Sequence, residues 1–272
     1  ENGFYDVVQA MVDLGKSFGV KYLTNHEISS INIKNSKVES LTINNSEFES
    51  DIVLSGADYA HTETLLSSNY RQYSNKYWSK KTWAPSSLLF YVGFDKKISD
   101  VAHHNLFFDT NFDDHAVDIY DKPKWPKDPL FYANFTSKTN SKTAPKGCEN
   151  GFFLIPLATN LEDNDEFREK YFNIIITRLE KLTNQKLKNN IIFKESFCVN
   201  DFIKDYNSYG GNAYGLANTL FQTAFLRPKI KSNKLKNLYF SGQLTVPGPG
   251  VPPAIVSGKL VSDLILKDEK VI

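Results

Sequence analysis

The stretch 237–266 contains the residues of this chain whose types and spacing could do chemistry. It predicts a short buried strand (Leu238–Phe240), a turn (Ser241-Gly242), a loop rich in proline and glycine (246–251), and a helix that starts at Pro252 or Pro253 and ends near Leu266. Proline in the first turn of a helix lacks only an N–H that would be unpaired there, and its φ is already helical, so the two prolines predict the helix start. Apolar residues then recur at helical spacing, namely Ile255, Leu260, Val261, Leu264 and Ile265.

A strand that leads through a glycine-rich loop into a helix can hold an anion or an electron-rich ring, because the helix N-terminus is positive. Gly242 has no Cβ, so a ligand could lie against its backbone. The N–H groups of Gly250, Val251 and Ala254 are predicted at the positive end of the helix. A tight turn between a strand and a packing helix would use the same residue types, because glycine-proline loops are common. Spacing alone leaves both interpretations open.

The residues themselves resemble the C-terminal flavin-contacting signature of the bacterial-type phytoene and carotenoid desaturases, a family of the FAD-dependent amine-oxidase-like superfamily. The matching positions are Leu238, Tyr239, Gly242, Thr245, Pro247, Gly248, Gly250, Val251 and Pro252. Other segments that resemble the family, in the same order along the chain, are Ser55-Gly56-Ala57-Asp58 with His61, 144–148, and 209–215 followed by 222–228. Ordered matches over nearly the whole chain are more specific than any one of them, so the chain is identified as a member of this family.

The resemblance implies an α/β (α+β) fold, with part of a Rossmann-like FAD-binding domain and a substrate-binding domain built on a mostly antiparallel sheet. The expected division is 1–66 and 206–272 in the FAD-binding domain, and 67–205 in the substrate-binding domain. The cofactor implied is FAD, and the residues implied in binding it are Ile28, Gly242, Gln243, Gly250, Val251 and Pro252. The Ile28 backbone would meet the adenine, and the Val251 N–H the N1/C2=O edge of the flavin. Pro253 stands at a position where the family commonly has glycine. Gln243 stands at a position that is acidic in much of the wider superfamily.

The activity implied is FAD-dependent desaturation of a carotenoid, in which an allylic hydride passes to flavin N5 and the adjacent proton then leaves. The substrate would be phytoene-like or a hydroxylated intermediate. A redox-neutral carotene cis–trans isomerase and a non-catalytic lipid-binding module stay open, and no side chain is singled out as catalytic.

The sequence has no GxGxxG motif after an opening strand. The chain therefore resembles the C-terminal half, or somewhat more, of such an enzyme, and we expect an N-terminal half as its partner and poor FAD binding without it.

Composition excludes several other classes of function. The 272 residues carry a net charge of +1 without a basic run, which argues against nucleic acid as a partner. Cys148 and Cys198 are isolated, so there is no CxxC motif and a reducing cytoplasm is expected. No apolar run approaches the roughly 20 residues of a spanning helix. Peripheral membrane contact stays open, because a carotenoid would be delivered from lipid.

The remaining pattern predicts the elements that must position the 237–266 stretch. Helices are predicted at 1–18 with Gly19 at the C′ position, at 59–66, and at 164–184. Strands are predicted at 21–23, 27–33, 38–43, 51–55, 87–94, 105–109, 130–136, 151–156 and 191–198, with a polar link at 47–49. The segment 201–206 leads into the Gly210-Gly211 turn.

Histidines offer two further candidate sites, and we assign chemistry to neither. His61 lies in the first turn of the helix that Asp58 can cap, and we interpret it as a surface or packing residue rather than a base. His103 and His104 are adjacent on a predicted strand, where neighbours point to opposite faces, and no nearby acid or cysteine spacing completes a zinc set. We therefore expect no metal site.

Overall fold

The computed structural model describes residues 3–271 of the chain. The α-helices are α1 (Tyr5–Ser17), α2 (Tyr59–Thr64), α3 (Asn75–Ser79), α4 (Phe112–Tyr120), α5 (Asp165–Thr183), α6 (Val199–Tyr206) and α7 (Val251–Asp268). The strands are β1 (Ile28–Lys34), β2 (Lys37–Ile43), β3 (Ser46–Glu49), β4 (Val53–Ser55), β5 (Ser86–Phe94), β6 (His104–Phe107), β7 (Phe131–Asn134), β8 (Glu149–Leu157), β9 (Ile191–Phe197) and β10 (Leu238–Phe240).

A five-stranded antiparallel sheet with the order β6-β7-β8-β5-β9 forms one core. Every second side chain of β8 is buried, as expected for a strand with one face against the core. The buried face of the sheet packs on α5, where Phe172 of the helix contacts Phe90 of β5 with ring centroids 5.1 Å apart. Asn164 caps α5 by accepting a hydrogen bond from Phe167 N. The mostly antiparallel sheet predicted from the sequence is therefore present, and its second face is open.

The second core joins the two ends of the chain. Strands β4 and β10 pair in parallel, with Leu238 opposite Val53. Tyr59 stacks on Phe240 with ring centroids 3.7 Å apart, and Trp78 packs beside them. A three-stranded antiparallel sheet, β1-β2-β3, completes this half. The α/β (α+β) class is confirmed, whereas the domain boundaries near 66 and 205 stay a prediction.

Three local predictions from the sequence are wrong. Residues 21–23 form no strand; they are exposed and pair with no neighbour among the described residues. The supposed polar link at 47–49 lies in β3, because Asn44 and Asn45 both have positive φ and turn the chain back as a hairpin onto β2. Helix α4 was not predicted.

Most of the apolar face of α1 is exposed, although the Tyr22 side chain lies against it at Gly15. Gly19 has a φ of +82°, as its predicted C′ position requires. Phe4 and Leu14 are nevertheless 79% and 58% exposed, and no residue of the helix is buried. Positions 1 and 2 of the predicted helix lie outside the described residues. The periodicity thus predicted the helix but not what covers it.

A buried carboxylate gives the core of the five-stranded sheet a defined pH dependence. Glu149 is buried, forms an ion pair with Lys138 at 2.9 Å, and accepts a hydrogen bond from Ser137 Oγ. Burial raises the pKa of Glu149, but the hydrogen bonds from Ser137 and Lys138 outweigh it, and the net pKa lies below the ordinary 4.5. A carboxylate with a lowered pKa stabilises the fold fully above the unfolded pKa, and this stabilisation is lost as the pH falls through the folded pKa.

Glu149→Gln is therefore expected to lower the free energy of unfolding by about 2 kcal/mol at pH 7, with the difference shrinking as the pH falls below about 4.5. Urea unfolding at pH values from 7 to 3 measures it. The exposed Glu27 supplies the control, since Glu27→Gln should change little at any pH. A Glu149→Gln deficit that stays constant down to pH 3 would contradict the ion-pair explanation.

Candidate flavin site

The parallel pairing of β4 with β10 brings two distant glycine turns together. Phe240 lies opposite Ser55, and Ser241 N donates to Ser55 O at 3.0 Å just beyond the paired residues. Gly56 and Gly242 follow at the same edge. A Cβ on Gly242 would have no atom closer than Gly56 O at 3.9 Å, so its backbone faces open space. The carboxyl ends of parallel strands are where α/β folds bind ligands.

A cavity of about 500 Å³ opens beside these turns. Its walls come from the β4–α2 turn, from α6, from 208–214, from the Gly242 loop and from the start of α7; they include Gly56, Asp58, Phe202, Tyr206, Asn212, Gln243, Leu244, Gly250 and Val251. Of the cofactor-binding residues expected from the sequence, three line the cavity: Gln243, Gly250 and Val251. Gly242 and Pro252 adjoin lining residues, whereas Ile28 is half-buried at the start of β1 and does not line the cavity.

The N-terminus of α7 brings the backbone N–H groups of Gly250 and Val251 to the cavity wall. Gly250 has φ 118° and ψ 155°, a conformation that suits glycine, and the helix begins at Val251. The next two positions are Pro252 and Pro253, which have no N–H. Ala254 lies in the first turn, as predicted, and its N–H donates to Gly250 O at 2.9 Å. The Val251 N–H has no acceptor among residues 3–271 and sits at the positive end of the helix.

Two hydrogen bonds to the Ser257 hydroxyl join the Gly242 turn to α7, and a third closes the turn itself. Gly242 N donates to Ser257 Oγ at 3.0 Å, and Thr245 Oγ1 lies 2.9 Å from both Gly242 O and Ser257 Oγ. Thr245 and Ser257 are fully buried. The turn and the helix start therefore keep a fixed relative position, which a site built on backbone atoms requires.

We expect Ser257→Ala to lower the free energy of unfolding by about 1–2 kcal/mol, because Gly242 N would be left without an acceptor. Chemical denaturation measures the loss. Ser262, exposed on the same helix, is the matched control, and Ser262→Ala should fall within about 0.5 kcal/mol of the wild type. If Ser257→Ala and Ser262→Ala lower the free energy of unfolding equally, the Ser257 hydroxyl contributes nothing beyond helix propensity.

A polar network crosses the cavity from Asp58 to Gln243. Asp58 caps α2 through His61 N at 3.2 Å, and its second oxygen accepts from Tyr209 N at 3.2 Å. Burial raises the pKa of Asp58, against the lowering effect of these hydrogen bonds. Asn212 contacts both ends, with Nδ2 3.5 Å from Asp58 Oδ2 and Oδ1 3.4 Å from Gln243 Nε2. The network orients the Gln243 amide, although the acid common in the superfamily is absent.

Two aromatic lining residues were missed from the sequence. Phe202 and Tyr206 lie four residues apart on α6 and form one apolar wall of the cavity. Their helical spacing was the available signal, but the segment was interpreted only as a lead into the Gly210-Gly211 turn. His61, by contrast, does not line the cavity.

The cavity fits a planar, electron-rich ring. Its volume lies in the usual range of about 300–1,000 Å³ for small-molecule sites. Glycine backbone and the Val251 N–H can meet an electronegative edge, the Gln243 amide can meet polar groups beside it, and Phe202 and Tyr206 offer apolar contact. A flavin ring, oxidised or reduced, can use each of these contacts.

The histidine pair is arranged differently from the sequence expectation. Strand β6 begins at His104, so His103 precedes it, and the two rings stack with centroids 4.2 Å apart instead of pointing to opposite faces. Within residues 3–271, no group of three or more His, Cys, Asp or Glu side chains could hold a metal ion.

Known proteins similar to this chain identify its family. The model of the family described as flavin containing amine oxidoreductase matches residues 1–266. The chain is 39% identical over 269 residues to a carotenoid 3,4-desaturase of Haloarcula japonica, covering 98% of this chain and 54% of that protein. It is 30% identical over 280 residues to a 4,4'-diapophytoene desaturase of Staphylococcus haemolyticus (98% and 56% covered) and 28% identical over 281 residues to a 1-hydroxycarotenoid 3,4-desaturase of a Flavobacterium species (97% and 54% covered).

The fold also has solved counterparts. An oxidoreductase from Methanosarcina mazei superposes with a TM-score of 0.66 at 15% identity, covering 97% of this chain and 55% of that one. The chain spans about half the length of the curated relatives it matches. The predicted resemblance to the carotenoid desaturases is confirmed, and the chain belongs to the flavin-containing amine oxidoreductase family.

Proposed function

We propose that the protein is an FAD-dependent carotenoid desaturase that introduces C=C bonds into a long apolar polyene. The observation that carries the proposal is that the open face of the five-stranded sheet leads into the candidate flavin cavity. The names of the similar proteins, which are carotenoid and diapophytoene desaturases, support the same chemistry.

The open face carries a row of large apolar side chains. Cross-strand pairing places in one line, from β9 to β6, Phe197, Leu89, Leu154, Tyr132 and Leu106. The neighbouring row, two residues along each strand, contains Glu195, Tyr91, Phe152, Asn134 and His104. Residues two apart on a strand share a face, so the rows lie side by side. They form a platform suited to a flat, extended hydrocarbon.

The platform meets the cavity through α6. Phe197 contacts Phe202 with ring centroids 4.8 Å apart, and Tyr206 with centroids 6.1 Å apart. Phe202 and Tyr206 also line the cavity. An apolar chain lying along the row from Leu106 to Phe197, which contains no charged side chain, could thus reach the cavity.

The bound flavin would accept a hydride, which no amino-acid side chain can do. The chain's own residues would hold and orient it: Gly242, Gly250 and Pro252 by close backbone approach, Gln243 by its amide, and Val251 by its N–H. The Val251 N–H, in an apolar surrounding, would stabilise negative charge on the reduced ring. We assign the Ile28 backbone to the adenine, and Phe202 and Tyr206 to the exclusion of water.

Three further features belong to the same proposal. The diphosphate-binding segment would come from an N-terminal half, since the curated relatives are about twice as long as this chain. The protein would be cytoplasmic and would contact a membrane peripherally to take up its substrate. No helix among the described residues is both long and apolar enough to cross a bilayer.

The test is to incubate the whole protein with FAD and a linear carotene, and to follow absorbance and product mass. Desaturation shifts the absorbance to longer wavelength and removes two hydrogens for each new bond. A redox-neutral isomerase would change the absorbance at constant mass. A lipid-binding module would copurify with pigment but show no flavin absorbance and no product, and either outcome would overturn the proposal.

A further inference from the structure

A polar cluster ends the apolar platform at the sheet edge farthest from the cavity. Tyr132 Oη lies 2.6 Å from His104 Nδ1 and accepts a hydrogen bond from Asn134 Nδ2 at 2.8 Å. These three side chains lie on adjacent strands, β6 and β7, and on the open face. Four strand-to-strand steps of about 4.8 Å separate β9 from β6, so the cluster stands about 19 Å from the Phe197 end of the platform.

The hydrogen bonds within the cluster leave one donor free. Tyr132 Oη accepts from Asn134, so the single phenolic proton is available for His104 Nδ1. A neutral His104 then carries its proton on Nε2. The Nε2 atom has no hydrogen-bond partner within residues 3–271, and the side chain is exposed. The cluster therefore offers an oriented N–H donor at the end of an otherwise apolar surface.

A second cavity lies beside the Tyr91 and Phe152 rings of the platform and reaches the cluster at Asn134, whereas His104 and Tyr132 do not line it. It has a volume of about 370 Å³, and Tyr91, Phe152 and Asn134 all line it. The Tyr91 and Phe152 rings are 5.4 Å apart, and Phe152 and Tyr132 are 6.3 Å apart. Aromatic rings thus continue from the α6 side of the sheet up to the cluster, with space above them for a ligand.

From this arrangement we infer that His104, Tyr132 and Asn134 form a subsite for an oxygen-bearing end group, such as a hydroxyl, on a long apolar substrate. The substrate would lie across the sheet, with its oxygen accepting a hydrogen bond from His104 Nε2 and its reacting part in the cavity at α7. The inference rests on the proposed function for the identity of the apolar chain. It adds the residues that would distinguish an apolar substrate with an oxygen-bearing end group from one without.

The test compares the binding of two ligands, a linear carotene and the same carotene with a hydroxyl on one terminal isoprene unit. Binding to the whole protein is titrated in detergent without turnover, from the shift of the polyene absorbance. We expect the wild type to bind the alcohol about fivefold more tightly, the effect of one hydrogen bond. Tyr132→Phe and His104→Leu should each reduce this ratio to about one, because each weakens binding of the alcohol more than binding of the carotene.

Thr139→Val is the matched control at the same edge. Thr139 Oγ1 contacts His103 Nδ1 at 2.6 Å and lies outside the cluster, so the ratio should stay at about fivefold. Because His104 is exposed, His104→Leu tests the inference even where Tyr132→Phe fails to fold. A wild-type ratio of one, or variants that weaken both ligands equally, would overturn it. Failure of the proposed function would instead be an absence of flavin-dependent desaturation, which binding does not measure.

Discussion

Val251→Pro is expected to keep the fold and to lower the rate of desaturation about 100-fold, the cost of removing one donor aimed at developing negative charge. Proline at the first helical position is favourable, and the ψ of Gly250, 155°, lies in the range that a residue before proline prefers, while its φ of 118° is one that glycine tolerates. The substitution therefore removes one N–H and little else. Since Pro252 and Pro253 already lack this group and Ala254 N is bonded to Gly250 O, the first turn of α7 offers no donor in its place. The Gly250 N–H, which has no acceptor among residues 3–271, is left unaltered by the substitution.

The measurement is anaerobic reduction of the bound flavin by substrate in a stopped-flow instrument, together with the flavin reduction potential. Val251→Ala is the control, because it shortens the side chain but keeps the N–H, and it should retain near wild-type rates. The potential should become more negative in Val251→Pro alone, since the reduced anionic ring loses its donor. Equal rates and potentials in the two variants would show that this amide does not meet the flavin.

The loop of the candidate site could be predicted from sequence because its residues restrict the backbone directly. Gly242 and Gly250 have φ values of +106° and +118°, which other residues rarely adopt. Pro252 and Pro253 fall in the first turn of α7, as predicted. The contribution of Ser257 was less accessible, because its bonds to Gly242 and Thr245 depend on how the helix packs back onto the turn.

Long-range contacts account for what the sequence did not reveal. Asp58 and Asn212 are 154 positions apart, and only folding shows that they share one network with Gln243. The pairing of His103 with His104 was predicted wrongly, because alternation holds only inside a strand and β6 starts at His104. For α1, apolar spacing predicted a face but could not identify its partner.

The side chain of Asn237 ties the two ends of the chain together at the base of the site. Its Oδ1 accepts from Val38 N at 2.8 Å, and its Nδ2 donates to Val38 O at 2.9 Å and to Asp51 O at 2.8 Å. Asn237 is 5% exposed, so water cannot easily replace these bonds. It connects β2 to the segment that enters β4, and β4 in turn carries the Gly56 turn of the cavity.

Asn237→Ala is therefore expected to lower the free energy of unfolding by about 3–5 kcal/mol, since the two buried backbone groups of Val38 and the part-buried carbonyl of Asp51 lose their partner. In a chain of this size the corresponding fall in Tm is about 10 °C. Asn233→Ala is the control, because Asn233 is exposed and only its backbone N–H is bonded, to Gln72 Oε1 at 2.6 Å. Asn237→Asp should also destabilise, because a carboxylate would face two carbonyl oxygens in place of the amide donor. A loss below about 1 kcal/mol for Asn237→Ala would mean that β2 and β4 hold their positions without this side chain, and that the Gly56 turn is fixed by the β4–β10 pairing alone.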